Sequence, residues 1–96
     1  MATKLNDESI ESWLTRREGW SRDGDRLVKE YRFDSFRDSI VFVNRVATIA
    51  DELDHHPDID VRYDRVSLSL SSHDAGGITD RDLKLAERID FATSAR

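Results

Sequence analysis

The sequence of 96 residues contains no cysteine and only one proline, Pro57. The absence of cysteine excludes disulfide bonds and thiolate chemistry. Residues Met1 to Asn6 hold no apolar run of the kind that a secretion signal requires. Nor does any stretch approach the roughly 18 consecutive apolar residues of a membrane-spanning helix. We therefore expect a soluble, cytoplasmic protein that does not bind a membrane.

A surplus of basic charge is also missing, since 20 acidic residues outnumber 15 lysines and arginines and leave a formal net charge of −5. The arginines are scattered among acidic residues, as in Arg16-Arg17-Glu18. Surfaces that bind phosphate backbones usually lean basic. We therefore expect no nucleic-acid partner.

The short chain supports one domain, residues 1–96. A domain of this size buries only about 60–65% of the surface that its unfolded chain exposes. Because 38% of the residues are hydrophobic and 36% are charged, the core is lean. We expect modest stability unless subunits share surface.

The first half of the chain predicts a helix, a hairpin and a long helix. Asn6 is a suitable N-cap for the first helix, and Gly19 a suitable end. Asp23-Gly24 is a two-residue turn signal between alternating segments. From about residue 34 to 53, apolar residues recur at steps of three and four in a wide stripe. This stripe predicts the central packing helix.

The second half predicts another hairpin and a last helix. Val61 and Tyr63 are assigned to one strand, and residues 66–70 alternate between apolar residues and serines in the next. Thr79 and Asp82 have the spacing of a capping box, with aspartate in place of glutamate. Two antiparallel hairpins with helices on one face give an α+β two-layer sandwich of order α-β-β-α-β-β-α.

All three histidines, His55, His56 and His73, lie in one short part of the chain. An imidazole has an unperturbed pKa of about 6.5 and suits proton transfer near neutrality. Asp51 lies four residues before His55, on the same face if the helix reaches that far. The pattern therefore predicts either an acid–base cluster or a histidine that stabilises a helix C-terminus.

A metal site is an alternative reading of the same residues. Three imidazoles and a carboxylate would satisfy zinc. However, one rigid element rarely directs adjacent side chains such as His55 and His56 at one ion, and the helical i, i+4 histidine pair is absent. Structural roles also stay open at this point, with His73 as a turn residue, Tyr63 as core and Asp82 as a helix cap.

These residues resemble the signature of the pterin-4a-carbinolamine dehydratase family. That pattern is an acid, three residues, His-His-Pro or His-Asn-Pro, five residues, an aromatic, nine residues, a third histidine and a later aspartate. The matching positions are Asp51, His55, His56, Pro57, Tyr63, His73 and Asp82. The likeness extends over about residues 5–91. It departs at Asp51, where many members have glutamate, and at Ile59, where many have tryptophan.

The resemblance implies a four-stranded antiparallel sheet and a hydro-lyase that acts on a 4a-hydroxytetrahydropterin in tetrahydrobiopterin recycling. It implies neither a redox cofactor nor a metal. It also implies a homodimer or homotetramer. Two other functions stay open, namely a pterin-binding or protein-dimerisation module without turnover, and a role in molybdopterin metabolism.

The resemblance also suggests roles for individual residues. We expect His56 to act as the base near N5, and His55 and His73 to bracket the C4a hydroxyl. Asp51 would orient His55, and Asp82 would orient a histidine while capping its helix. Residues expected to border the pterin lie on the serine-rich strand and its end, at Ser69, Ser71 and Ser72.

Overall fold

The structure is a computed structural model that describes residues 3–93. Its elements are α1 Asp7–Leu14, β1 Ser21–Asp23, β2 Arg26–Arg32, α2 Phe36–Leu53, β3 Asp58–Arg62, β4 Arg65–Leu70 and α3 Asp80–Ala92, with a 3-10 turn at His73–Ala75. The predicted order α-β-β-α-β-β-α is confirmed. Within residues 3–93, none of the helices combines the length and apolar character that crossing a bilayer demands.

The four strands form one antiparallel sheet in the order β1-β2-β4-β3. The inner strands β2 and β4 bring the two hairpins together. The first hairpin turn falls one residue later than predicted, because Asp23 pairs with Arg26 and leaves Gly24-Asp25 as the loop. Gly24 has a φ of +60°, which glycine adopts without a steric penalty.

All three helices pack on one face of the sheet, as predicted. Alternate residues of β2 and β4, including Leu27 and Leu68, are fully buried in a core shared with the helices. The long helix buries Phe42, Val46 and Ile49 against this face, whereas Phe36 at its start is 51% exposed. The opposite face of the sheet carries no helix and holds the serines of β4 in half-buried positions.

The second hairpin contradicts the placement of Tyr63 in a strand or in the core. Pairing of Arg62 with Arg65 ends β3 one residue before Tyr63 and leaves Tyr63-Asp64 as the turn. Tyr63 adopts a φ of 57° and is 70% exposed. Because neither turn residue is glycine or asparagine, the sequence lacks the usual hairpin signal.

The first helix begins as predicted and ends earlier. The Asn6 side chain accepts a hydrogen bond from the Ser9 backbone N–H at 2.8 Å, which confirms the N-cap. The helix ends at Leu14, so Gly19 is not its terminator. Gly19 instead lies in the loop before β1 with a φ of +90°, a conformation that glycine tolerates.

Candidate active site

The end of α2 sets the direction of the two adjacent histidines. Asp54 adopts the left-handed conformation with a φ of 50°, and the His55 backbone N–H donates to the Ala50 carbonyl at 3.1 Å. This is the hydrogen-bond pattern of a Schellman C-cap, which reverses the chain at the helix end. Pro57 follows, at a position where proline commonly stops a helix. The chain therefore turns away from the axis of α2 at His55, just before β3 begins.

His55 reaches across to α3, where its Nε2 lies 2.5 Å from Oδ1 of Asp82. The histidine side chain is 11% exposed, and the Asp82 side chain is completely buried. Since a carboxylate only accepts, Nε2 carries the proton of this hydrogen bond. The pair joins residues 27 positions apart in the sequence and connects the end of α2 to the start of α3.

Asp82 is held by two further donors at its other oxygen. Oδ2 accepts from the Ser72 hydroxyl and from the Thr79 backbone N–H, each at 2.9 Å. Together with the Thr79 side chain this completes a capping box. The predicted cap is confirmed, and the histidine that contacts Asp82 is His55. Ser72 is 1% exposed and its hydroxyl is engaged by Asp82 and Thr79, so its side chain gives no support to the expected contact with a pterin.

His56 pairs with Asp51, not with Asp82. Its Nε2 lies 2.9 Å from Oδ1 of Asp51, and the two side chains are 58% and 77% exposed. This corrects the expected pairing of Asp51 with His55. The helix ends at Leu53 and the chain reverses at Asp54, so the i, i+4 relation of a continuous helix does not apply to His55.

His73 lies on the 3-10 turn directly after Ser72. Backbone hydrogen bonds between Ser72 and Gly77, at 2.9 and 3.3 Å, close this short loop. Arg81 on α3 donates to Asp74 at 2.5 Å, and this hydrogen bond holds the pKa of Asp74 below its usual range. The His73 side chain is exposed. Its loop is thus anchored on both sides.

Two of the predicted site residues lie apart from this arrangement. Tyr63 follows the last residue of β3, whereas His55 and His56 lie before the first residue of that strand. The extended strand between them spans roughly 20 Å. Within one subunit the structure does not bring Tyr63 to the histidines. The Ser71 hydroxyl donates to the Asp25 carbonyl at 2.9 Å and joins the end of β4 to the first hairpin turn.

From the sequence, Thr79 is predicted only to begin the last helix and to share a capping box with Asp82. Its hydroxyl is buried and lies 2.8 Å from the Ser72 hydroxyl, beside the Asp82 carboxylate. The capping-box spacing was the available signal for Thr79 and Asp82. No local pattern connects either residue to His55, because that contact depends on how α2 and α3 pack.

The remaining features of the surface do not converge on the histidines. Among the side chains of residues 3–93, no three of His, Cys, Asp or Glu meet as a metal-ligating group. A cavity of about 460 Å³ lies on the helix-free face of the sheet, where Val28, Ile59, Ser67 and Ser69 contribute to its lining. The serine face therefore borders an open cavity that contains none of the three histidines.

Comparisons with known sequences give a consistent result. A family model described as pterin 4 alpha carbinolamine dehydratase matches residues 3–92. A relative from Thermomicrobium roseum, named "Putative pterin-4-alpha-carbinolamine dehydratase", is 52% identical over 86 residues, which are 90% of this chain and 92% of that protein. A relative of the same name from Sulfolobus acidocaldarius is 45% identical, over 91% of this chain and 96% of that protein.

Solved structures agree on the fold. A structure described as a transcriptional coactivator/pterin dehydratase from Brucella melitensis superposes with a TM-score of 0.87 at 27% identity, over 92% of this chain and 96% of that one. A pterin dehydratase-like protein described as a RuBisCO assembly factor in the alpha-carboxysome superposes with a TM-score of 0.65 at 23% identity, over 77% and 88% of the two chains. The second likeness concerns the fold alone.

Proposed function

The chain belongs to the pterin-4a-carbinolamine dehydratase family, and on that premise we propose that it dehydrates a 4a-hydroxytetrahydropterin to a quinonoid dihydropterin. The observation that carries this proposal is the largely buried His55–Asp82 pair, with His56 next to His55 in the chain and His73 next to Ser72, a second partner of Asp82. The reaction protonates the leaving hydroxyl at C4a and removes the proton at N5. Because one proton is given and one is taken, imidazoles suffice for it.

His55 is equipped to exchange a proton through its second ring nitrogen. With Nε2–H donated to Asp82, the neutral ring has its lone pair on Nδ1. A carboxylate behind the ring stabilises the imidazolium that forms when Nδ1 takes a proton. The ring is mostly buried yet retains 11% exposure, which leaves an edge accessible to substrate. We propose that His55 and His73 bracket the C4a hydroxyl and that one of them is the general acid.

His56 is proposed as the base near N5. Its Nε2 contacts Asp51. This carboxylate therefore orients the ring of His56, whereas the sequence predicted that it would orient His55. Since both side chains are more than half exposed, the contact orients the ring without isolating it from solvent. Asp51 is one methylene shorter than the glutamate common in the family, and here it still reaches His56.

The test is dehydration of a synthetic 4a-hydroxytetrahydropterin, followed by absorbance. We expect His55→Ala and His73→Ala each to lower kcat by about 10²-fold or more, as removal of a general acid or base commonly does. Glu11→Ala, at an exposed position on α1, is the control and retains turnover. Wild-type turnover in both histidine variants would contradict the assignment.

We also propose that the chain assembles into dimers or tetramers and acts in the cytoplasm in tetrahydrobiopterin recycling. The support for assembly is apolar surface, since Val41 is 50% and Phe91 is 86% exposed, beside a groove between α2 and α3. Sedimentation at micromolar concentration is expected to show an oligomer. A monomer as the sole species would contradict this proposal.

A protein-binding role without turnover is the second candidate. It is favoured by the Brucella melitensis neighbour, whose description names a transcriptional coactivator as well as a pterin dehydratase. The turnover assay separates the two functions, because a module that only binds a protein would not dehydrate the carbinolamine. A wild-type protein that fails to dehydrate the carbinolamine would favour the binding role.

A further inference from the structure

The buried hydroxyls of Ser72 and Thr79 form a chain of hydrogen bonds that ends on Asp82. The Arg81 backbone N–H donates to the Thr79 hydroxyl at 3.2 Å. The two hydroxyl oxygens lie 2.8 Å apart, and Ser72 donates to Oδ2 of Asp82 at 2.9 Å. Ser72 is 1% exposed, and Thr79 and Asp82 are fully buried. Water therefore has little access to these three residues and cannot readily replace their hydrogen bonds.

The inventory of donors fixes the direction of every bond in this chain. A carboxylate cannot donate, so the single proton of Ser72 must point at Asp82. Thr79 must then donate its own proton to Ser72, because Ser72 has none left to give. If Ser72 instead donated to Thr79, two lone pairs would face each other at 2.9 Å in a buried site, which is costly.

The result is that the two oxygens of Asp82 have separate tasks. Oδ2 is occupied by the Ser72 hydroxyl and the Thr79 N–H, while Oδ1 accepts from His55. Rotation of the carboxylate about its Cβ–Cγ bond would break both contacts at Oδ2. The hydroxyl chain therefore holds Oδ1 at one position, where it accepts the Nε2 proton of His55.

Ser72 also belongs to the backbone that carries His73. Its N–H donates to the Gly77 carbonyl at 2.9 Å and closes the loop on which His73 lies. We propose that Ser72 and Thr79 are positioning residues, and that Ser72 joins the two histidines assigned to the C4a hydroxyl into one preorganised unit. This inference rests on the proposed function and adds to it the residues that set the geometry.

The decisive variant is Ser72→Ala, which removes the donor to Oδ2 and the acceptor of the Thr79 hydroxyl while leaving the backbone bridge to Gly77 in place. We expect kcat to fall about 10-fold, since small misplacements of a reacting group cost factors of this size and larger. The KM should change by less than about twofold, because the lost contact does not touch substrate. Ser72→Thr, which retains the hydroxyl, should restore most of the loss.

A second readout is independent of turnover. The Nε2–H proton of His55, held in a short hydrogen bond to Asp82, should give one sharp, strongly deshielded NMR resonance in the wild-type protein. In Ser72→Ala we expect this resonance to shift and broaden, because Oδ1 is no longer held at one position. Ser39→Ala is the matched control, because Ser39 is equally buried and its hydroxyl donates to the Ser35 carbonyl at the other end of α2. That variant should retain both kcat and the resonance.

The outcomes separate this inference from the proposed function. An active wild type whose Ser72→Ala variant retains kcat and an unchanged Nε2–H resonance would overturn the positioning role and leave the dehydratase intact. An inactive wild type whose His55 Nε2–H resonance nevertheless shifts in Ser72→Ala would support the positioning role and overturn the dehydratase. If Ser72→Ala does not fold, the comparison passes to Thr79→Ser and Thr79→Val. There a resonance retained in serine and shifted in valine supports the role, and one retained in both contradicts it.

Discussion

Helix α3 carries two carboxylates, eight residues apart, that each collect three hydrogen-bond donors. Asp82 accepts from His55, Ser72 and the Thr79 backbone. Asp90 accepts from Trp20 at 2.7 Å, Lys29 at 3.0 Å and Tyr31 at 2.6 Å. Both carboxylates join the helix to other parts of the fold. They differ in the chemistry of the groups that they hold.

The Asp90 cluster is built from an indole, an ammonium group and a phenol. Lys29 lies 4.7 Å from the centre of the Tyr31 ring, and Trp20 meets that ring edge to face. Burial, reinforced by the hydrogen bond to Asp90, raises the pKa of Tyr31 well above its ordinary value. This end of α3 is a structural joint between the helix and β2. At the other end, a carboxylate with the same number of donors holds the imidazole of His55 by its Nε2.

The largest effect is expected from Asp82→Asn. The amide keeps the shape of the carboxylate but can donate to Nε2, which stabilises the wrong tautomer of His55. We expect kcat to fall roughly 10³-fold, within the range attributed to an oriented histidine base. The measurement is turnover of the carbinolamine by enzyme whose fold has been verified by circular dichroism.

The matched control for that prediction is Asp90→Asn, on the same helix. It should leave kcat within about twofold of wild type, because no group in that cluster touches the reacting atoms. Equal losses of kcat in both variants would erase the distinction between a carboxylate that positions His55 and a structural carboxylate.

The second prediction concerns the contribution of the Asp90 cluster to the stability of the fold. Asp90→Ala leaves the Trp20 and Tyr31 donors without their acceptor and should lower the free energy of unfolding by about 2 kcal/mol, as losses of hydrogen bonds to charged groups do. The Asp90 side chain is 24% exposed, so water recovers part of the loss. Urea titration measures this change. An unchanged denaturation midpoint would show that the cluster contributes nothing to the joint.

The third prediction concerns alkaline pH and isolates Tyr31. Its folded-state pKa is raised, so the stabilisation is complete below the unfolded value of about 10 and is lost as pH rises above that value. Over this range the wild type should lose up to about 1.4 kcal/mol per pH unit through Tyr31. Tyr31→Phe removes this slope at a cost of about 1 kcal/mol at neutral pH. Identical pH slopes in the two proteins would contradict the assignment.

The two ends of α3 also show what sequence patterns can predict. Thr79 and Asp82 lie three residues apart, and local spacing was enough to predict their capping box. The alternation of strands and the stripe of α2 likewise gave the order of elements. The contacts of Asp90 join residues 59 to 70 positions apart, and no local pattern encodes them. The predicted pairing of Asp51 with His55 was wrong for a related reason. The left-handed residue Asp54 ends α2, so the i, i+4 spacing of a helix does not bring Asp51 beside His55.

The smallest effect is expected at the Asp51–His56 pair, where a carboxylate contacts a solvent-exposed histidine. The Asp51–His56 pair has the same donor and acceptor as the buried pair, but the side chains are 77% and 58% exposed. Exposed ion pairs contribute about 0–1 kcal/mol, because water solvates each partner and salt screens the attraction. Asp51→Asn should therefore change the free energy of unfolding by less than about 0.5 kcal/mol.

Turnover should respond to Asp51→Asn more than stability does, yet far less than it responds to Asp82→Asn. An exposed imidazole that loses its carboxylate still samples its active orientation, so we expect a loss of kcat of only about threefold to tenfold. A loss in Asp51→Asn as large as that in Asp82→Asn would mean that the orientation of His56, not burial of the pair, determines the rate.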